Sequence, residues 1–175
     1  MKLIVARHGE TAWNEQNKVL GRTEIPLNII GVEQAEKLAD ELRQFGIQVV
    51  YTSPLGRAKE TGRIVAEKNK AELQIEDSLI EQNFGIYEGV DRSNTDYQQA
   101  KRNYVMRYPE GESYLDVAAR VYPFLSEIIR KKIDAVVIIT HGGICRIIES
   151  YFNQLNNEEF ASFTMPNCGY KVYEI

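Results

Sequence analysis

The chain has 175 residues, of which 43% are hydrophobic and 26% are charged, as expected for one globular domain with a sizeable core. Its 21 basic and 25 acidic side chains give a net charge of −4. This balance argues against nucleic acid as a partner, and the apolar runs are too short for a membrane span. Two cysteines are too few for a disulfide framework, so we expect reduced thiols and a cytoplasmic location.

Apolar runs alternate with helix-like segments in the first half of the chain. Leu3 to Val5 predicts a strand buried on both faces, and a long polar loop from Arg7 to Asn28 follows it. Asn28 is placed to cap a helix whose apolar spacing continues to Phe45, and Gly46 is a plausible end for it. The next predicted elements are a strand at 47–52, a helix at 55–69, a short strand at 73–75, an irregular loop at 79–89 and a weak helix at 95–108.

The second half of the chain continues the alternation. Ser113 is expected to cap a helix that runs to about Lys132, and Pro123 should kink or interrupt it. A strand at 135–140, a helix at 144–155 and a last strand at 170–175 complete the chain. This order predicts a single α/β domain over 1–175: a three-layer α/β/α sandwich with a mostly parallel sheet, in which 82–109 could form a small cap.

The only two histidines of the chain each follow an apolar strand and precede a glycine. His8 follows the first strand, and His141 follows the strand at 135–140. The carboxyl ends of parallel strands meet at one edge of a sheet, where ligands bind in α/β proteins. We therefore expect the two imidazoles to face each other there.

The residues around the histidines favour a phosphate site. Arg7 and Arg57 are both predicted just beyond strand ends, and guanidinium groups match phosphate oxygens in bidentate geometry. His8 would attack phosphorus, while Arg7, Arg57 and His141 hold the oxygens and a carboxyl group of the 79–89 loop protonates the leaving group. We expect no metal and no cofactor, because no HExxH pair or paired cysteines at zinc spacing occur and two arginines and an imidazolium already supply positive charge.

Five motifs along nearly the whole chain resemble the histidine phosphatase superfamily, in its phosphoglycerate-mutase-like branch. They are RHGETAWN, GRTEIPLNIIGVEQA, TSPLGRAKETG, LIEQNFGIYEG and THGG, in the order of the family. The resemblance implies His8 as the phosphorylated nucleophile and Glu81 as the acid/base. It further implies phosphate contacts from Arg7, Asn14, Gly21, Arg57, His141 and the Gly142 N–H. Glu88 shares a loop with Glu81, so either carboxylate could instead be a structural hydrogen-bond partner.

The resemblance leaves the reaction open among several alternatives. A mutase must shield its phosphohistidine from water, whereas only about twenty residues separate Gly89 from Pro109, and the PEGES segment at 109–113 resembles the phosphatases. We therefore favour hydrolysis of small phosphomonoesters. A phosphoglycerate mutase is the alternative enzyme, an α-ribazole phosphatase is a narrower form of the favoured one, and a non-catalytic phospho-ligand binder is a further alternative. The oligomeric state cannot be predicted from this sequence.

Two groups of residues in the 82–109 region are interpreted as structural. The basic side chains Lys101, Arg102 and Arg107 are expected to form a solvated face rather than to grip a substrate. The tyrosines at 97, 104 and 108 are expected to pack against other side chains.

Overall fold

A computed structural model describes residues 1–175, with one five-stranded sheet between two layers of helices. The strands are β1 (Lys2–Arg7), β2 (Val49–Thr52), β3 (Glu72–Ile75), β4 (Ala135–Thr140) and β5 (Tyr170–Glu174), in the order β3-β2-β4-β1-β5. The first four strands are parallel to their neighbours, and only β5 pairs antiparallel, along β1. The predicted α/β class with a mostly parallel sheet is confirmed.

The central strands are buried on both faces, as their uninterrupted apolar sequences predict. Leu3 and Val5 of β1 pack in one apolar cluster, and Ile4 and Ala6 pack in another, because successive side chains point to opposite faces. The first face is covered by α5 (Tyr114–Arg130) and α6 (Gly142–Phe152), and the second by α2 (Ile29–Leu42) and α3 (Gly56–Asn69).

Three shorter helices complete the fold: α1 (Ala12–Glu15), α4 (Thr95–Ala100) and α7 (Asn157–Ser162). The sequence interpretation missed α1 and α7, because neither is long enough to show an amphipathic period. Each begins with a capping box, Thr11 with Asn14 and Asn156 with Glu159, which satisfies the first free N–H groups. Single 3₁₀ turns occur at 43–45, 77–79 and 85–87.

The structure corrects three predicted helices. The weak helix expected over 95–108 ends at Ala100, and turns follow it. Pro123 does not interrupt α5, because the buried face of that helix, including Val121 and Leu125, packs on the sheet and offsets the roughly 3 kcal/mol cost of an interior proline. The helix expected to start at residue 144 begins at Gly142, directly after His141.

The 82–109 segment contains a small aromatic cluster of its own. Phe84, Tyr97 and Tyr108 are buried together with Val19 of the long first loop. Tyr104 packs edge-on against rings of α5 and α7. The packing interpretation of the tyrosines is thus confirmed.

No helix of this fold combines the length and the apolar character that a bilayer crossing requires.

A close contact between two glycines seats the start of α2 against the loop after β1. A Cβ atom on Gly31 would lie 2.1 Å from the Glu10 carbonyl oxygen, and one on Gly9 would lie 2.3 Å from that of Gly31. Both distances are far inside van der Waals contact with backbone atoms, which cannot swing away. Glycine is therefore required at both positions.

We predict that Gly31→Ala lowers the free energy of unfolding by about 1–3 kcal/mol, as overpacking does, and also lowers activity because it displaces the loop that carries His8. Gly46→Ala is the control, since Gly46 has φ +64° but nothing within 4 Å of an added Cβ atom. It should cost about 1–2 kcal/mol of stability with little effect on turnover. Urea titration and a rate assay separate the two, and a fully active Gly31→Ala would contradict this packing argument.

Candidate active site

The register between β1 and β4 brings the two histidines together. Arg7 pairs with Thr140 at the end of the parallel ladder, so the following residues, His8 and His141, leave the sheet side by side. Their ring centroids are 5.0 Å apart, at 60° to each other, and both rings are buried. The two imidazoles face each other, as the sequence predicts.

The hydrogen bonds of His8 select one tautomer. Its Nδ1 lies 2.6 Å from the Gly9 carbonyl oxygen, so that nitrogen donates a proton. Its Nε2 accepts from the Arg57 Nε at 3.3 Å and therefore carries the lone pair. Burial, aided by the charges of Arg7 and Arg57, lowers the pKa of His8 well below 6.5. At neutral pH, Nε2 is thus an unprotonated nitrogen that could attack an electrophile.

Arg57 is fully buried beside His8 and is held by two backbone carbonyl groups. Its guanidinium donates to the oxygen of Gly21 at 2.6 Å and to that of Thr23 at 3.0 Å. Burial lowers the pKa of Arg57 to about 10, which leaves it charged at neutral pH. Gly21 thus contacts Arg57 through its carbonyl, and neither residue is part of the cleft wall itself.

The two carboxylates of the 79–89 loop have separate surroundings. Glu88 accepts hydrogen bonds from the N–H groups of Arg22 and Thr23 and from the Thr23 hydroxyl. It therefore holds the segment whose carbonyl groups hold Arg57. Glu81 instead lies in the cleft wall beside His8.

Glu81 is buried with two backbone donors on its carboxyl group. Its Oε1 accepts from the Gln82 N–H at 2.8 Å, and its Oε2 accepts from the Gly143 N–H at 3.1 Å. Burial raises the pKa of Glu81, although these two hydrogen bonds oppose the shift. A carboxyl group with a raised pKa can hold a proton closer to neutral pH, as a general acid requires.

Arg7 and the start of α6 form the other side of the cleft. Arg7 donates from Nη1 to the Met165 carbonyl oxygen at 2.9 Å, while its buried Nε has no partner in the protein. Gly142 and Gly143 line the cleft at the first turn of α6. The Gly143 N–H is already bonded to Glu81, so the Gly142 N–H is the donor at this helix start that suits a phosphate oxygen.

His141 donates to or accepts from the Ser53 hydroxyl through Nε2 at 2.7 Å, and its buried Nδ1 has no partner in the protein. Burial, followed by the charge of Arg57, lowers the pKa of His141 well below 6.5. The sequence-based expectation of an imidazolium here is therefore wrong for the protein alone, in which the ring is neutral.

Asn14 lies in the cleft wall, and its side-chain oxygen is bonded to other groups of the protein. That oxygen accepts from the Thr11 N–H and from the Asn167 side-chain amide, both at 3.2 Å. Its NH₂ group is therefore the end that Asn14 can offer to an anion.

The cleft encloses about 90 Å³ and is strongly cationic. Its only carboxyl group is Glu81, whereas four basic side chains line it: Arg7, Arg92, Lys101 and Arg146. Such a site favours a small ligand with more than one negative charge.

The family profile of the histidine phosphatase superfamily (branch 1) matches residues 3–175. The chain belongs to this superfamily. It is 31% identical over 180 residues to phosphoserine phosphatase 1 of Hydrogenobacter thermophilus, an alignment that covers 98% of this chain and 85% of the relative. It is 28% identical over 188 residues to a 2,3-bisphosphoglycerate-dependent phosphoglycerate mutase of Parvibaculum lavamentivorans, covering 99% and 90%.

Solved structures share the fold over nearly the whole chain. An α-ribazole phosphatase from Shigella flexneri superposes with a TM-score of 0.86 at 24% identity, over 100% of this chain and 91% of that one. A phosphoserine phosphatase variant from Entamoeba histolytica, solved with phosphoserine, gives 0.85 at 25% identity, over 98% and 89%. Together with the family match, the relatives identify a histidine-type phosphatase.

The sequence interpretation missed part of the cleft of this histidine phosphatase. The sequence predicts Lys101 on a solvated face, but Lys101 lines the cleft, where burial and the charges of Arg146 and Arg92 lower its pKa. Arg107 does lie at the surface, paired with Asp116 at 2.7 Å. Arg146 lies four residues after Gly142 on α6, so helical spacing could have predicted that its side chain reaches the cleft. Nothing in the sequence around Arg92 indicated that this residue lines the cleft.

The pH dependence of stability should report the burial of the two histidines. An unfolded imidazole has a pKa near 6.5, and both folded rings have lower values, so the unfolded chain binds more protons below that pH. Stability is therefore fully present above pH 6.5 and is lost as the pH falls below it, at up to about 1.4 kcal/mol per pH unit for each ring.

Urea unfolding at pH 7.5 and 5.5 measures this loss, and His141→Gln should reduce it to about half. The chain has no other histidine, but the raised pKa of Glu81 acts in the opposite direction, so both proteins are compared in a Glu81→Gln background. An unchanged free energy of unfolding between the two pH values would contradict the burial of neutral rings.

Proposed function

We propose that this histidine phosphatase is a metal-independent phosphomonoesterase that forms a phosphohistidine on His8. The observation that carries the proposal is the unprotonated His8 Nε2, which accepts a hydrogen bond from Arg57, in a ring that lines one cleft with Arg7 and Glu81. The cationic side chains supply the charge that a metal would otherwise provide. The free thiols of Cys145 and Cys168 accord with a cytoplasmic location, which stays a prediction.

The reaction proceeds in two steps. In the first, the His8 Nε2 attacks phosphorus, the bond from phosphorus to the leaving oxygen breaks, and Glu81 gives its proton to that oxygen. His8 keeps its Nδ1 proton, which the Gly9 carbonyl oxygen stabilises as the ring becomes positive. In the second step, water attacks phosphorus, Glu81 takes a proton from the water, and Nε2 leaves with its electron pair.

The transferring phosphoryl group is held by residues on several sides. Arg7, Arg57 and the Gly142 N–H take the equatorial oxygens. His141, whose buried Nδ1 has no partner in the protein and whose ring lies 5.0 Å from that of His8, supplies a further contact. Asn14 offers its amide NH₂. Gly21 contributes indirectly, through the carbonyl group that fixes Arg57.

Hydrolysis of the phosphohistidine is favoured over transfer of its phosphoryl group back to the substrate, as in a mutase, although the relatives include mutases as well as phosphatases. The 82–109 segment adds only one short helix beside the cleft, within what we propose to be a single domain over 1–175. Phosphoglycerate mutase stays the alternative, and α-ribazole phosphatase is the narrower possibility. A non-catalytic binder is disfavoured because the proposed nucleophile His8, the arginines Arg7 and Arg57 and the proposed acid Glu81 are all present in the chain.

The charges near the cleft mouth favour substrates with a second anionic group. Lys101 and Arg92 line the cleft, and neither forms a salt bridge with a carboxylate, whereas the Arg146 guanidinium is held by Tyr114 and the Phe163 carbonyl group. The relatives are named for phosphoserine and phosphoglycerate, which both carry a carboxylate beside the phosphate. We propose a small phosphorylated carboxylic acid as the substrate.

His8→Ala should abolish both turnover and labelling of the protein by a phosphoryl donor, because no other imidazole lines the cleft. Acid-labile phosphoenzyme trapped from wild type and variant measures this. Turnover of the wild type should survive excess chelator. Labelling that persists without His8 would move the nucleophile elsewhere.

Glu81→Gln should slow hydrolysis of alkyl phosphates by about 10²–10⁴-fold and of p-nitrophenyl phosphate much less, because only the alkoxide needs a proton. The ratio of the two kcat values gives the answer. Glu88→Gln is the comparison, since that carboxylate holds the Arg57 segment and should slow both substrates alike. Equal losses in Glu81→Gln would contradict the acid role.

Lys101→Met should lower kcat/KM for 3-phosphoglycerate about 10-fold, the worth of one charge-assisted contact, and leave glycerol 3-phosphate nearly unaffected. Arg102→Met, at an exposed position outside the cleft wall, is the matched control. Scoring free phosphate against 2-phosphoglycerate in the same assay separates hydrolysis from mutase activity. If Lys101→Met slows both substrates equally, the second anion is bound elsewhere or not at all.

A further inference from the structure

A cluster of three charged side chains lies behind Glu81, outside the cleft. It consists of Glu112 with Arg22 and Arg120, which come from three separate parts of the chain. We propose that Glu112 is a positioning residue that fixes Glu81 for proton transfer through these two arginines. This proposal rests on the function proposed above for Glu81.

Glu112 bridges the two guanidinium groups and the chain just after Glu81. Its Oε1 accepts from Arg22 at 2.9 Å, and its Oε2 accepts from Arg120 at 3.3 Å. The same Oε2 also accepts from the Asn83 N–H at 2.9 Å. The side chain is only 19% exposed, so these contacts are shielded from water more than an ordinary surface pair.

Both arginines in turn donate to the backbone carbonyl oxygen of Glu81. The Arg22 Nε is 3.2 Å from it, and the Arg120 Nη2 is 3.4 Å from it. Two cations that converge on one oxygen repel each other, and the carboxylate of Glu112 between them offsets this repulsion. Without that negative charge the two arginines would move apart, and the Glu81 carbonyl oxygen would lose at least one of its two hydrogen bonds.

The backbone of Glu112 reinforces the same point. Its N–H donates to the Asn83 carbonyl oxygen at 2.9 Å, and its carbonyl oxygen accepts from the Gln82 side chain at 3.2 Å. Glu112 lies just after the 82–109 segment. Its backbone is thus hydrogen-bonded to Gln82 and Asn83, the two residues that directly follow Glu81.

Misplacement matters here because the Glu81 carboxyl group works over hydrogen-bond distance. A shift of about 1 Å in a reacting group can cost about 100-fold in rate. The effect should fall on the step that needs the proton. It should therefore follow the leaving group, which a general loss of stability would not do.

The test is the leaving-group dependence of Glu112→Gln. We expect kcat to fall about 10- to 100-fold for alkyl phosphates and no more than about 3-fold for p-nitrophenyl phosphate. Asp116→Asn is the matched control, because Asp116 also pairs with an arginine and caps α5 but does not contact Glu81. It should slow both substrates alike, if at all.

Arg120→Gln is the second variant, and it tests the same proposal if Glu112→Gln does not fold. Arg120 contacts Glu81 but not the segment that holds Arg57, so it should reproduce the leaving-group pattern. In a Glu81→Gln background, Glu112→Gln should add little further loss for alkyl phosphates, because the group that it positions is already absent.

Two results would overturn the proposal: equal losses on both substrates in Glu112→Gln, or losses that multiply in the double variant. The outcome is separable from failure of the proposed function. If Glu81→Gln alone shows the leaving-group pattern and Glu112→Gln does not, only the positioning role fails. If Glu81→Gln lacks the pattern, the acid role itself fails.

Discussion

The pairing of β1 with β4 is the interaction on which the site depends. Both strands are buried on both faces by apolar side chains, and the Arg7–Thr140 pair closes their ladder. A slip of one residue would move every side chain of β1 to the opposite face and bury Arg7 differently, so the core fixes the register strongly. Because the register is fixed, the two imidazoles that follow the strands must emerge 5.0 Å apart. Hydrophobic packing thus sets the distance between two imidazoles that have no direct hydrogen bond to each other.

The electrostatics of the site follow from what its cations contact. Arg7 and Arg57 are held by backbone carbonyl oxygens of Met165, Gly21 and Thr23, which orient a guanidinium without neutralising it. Each arginine therefore retains its charge for an incoming anion. Burial, aided by these same charges, lowers the pKa of both histidines and keeps them neutral. One arrangement thus suits an anionic ligand and leaves the proposed nucleophile, His8, unprotonated.

Sequence reasoning found the residues that stand at regular places in the fold. His8 and His141 could be located because each ends an apolar strand, and Glu81 because its loop matches a family motif. Lys101 and Arg92 could not, since they belong to the irregular 82–109 segment, where the predicted helix stops at Ala100 and turns decide which side chains reach the cleft. The helix α7 was missed for a related reason, because its six residues are too few for a period to show.

Two parts of the molecule meet at the cleft, the edge of the sheet and the 82–109 segment. In the proposed function, the sheet edge carries the phosphate chemistry, which needs fixed geometry, and the 82–109 segment adds two of the basic side chains of the cleft, Arg92 and Lys101. Glu81 lies where the two parts join, with its carboxyl group on the Gly143 N–H of α6 and its backbone on arginines that Glu112 pairs. On the proposed function, a change of sequence within the segment can therefore alter the choice of substrate without disturbing the histidines, but a change next to Glu81 must also move the proposed proton donor. Evolution of new specificity on this fold should then be easiest at Arg92 and Lys101 and hardest at the residues that anchor Glu81.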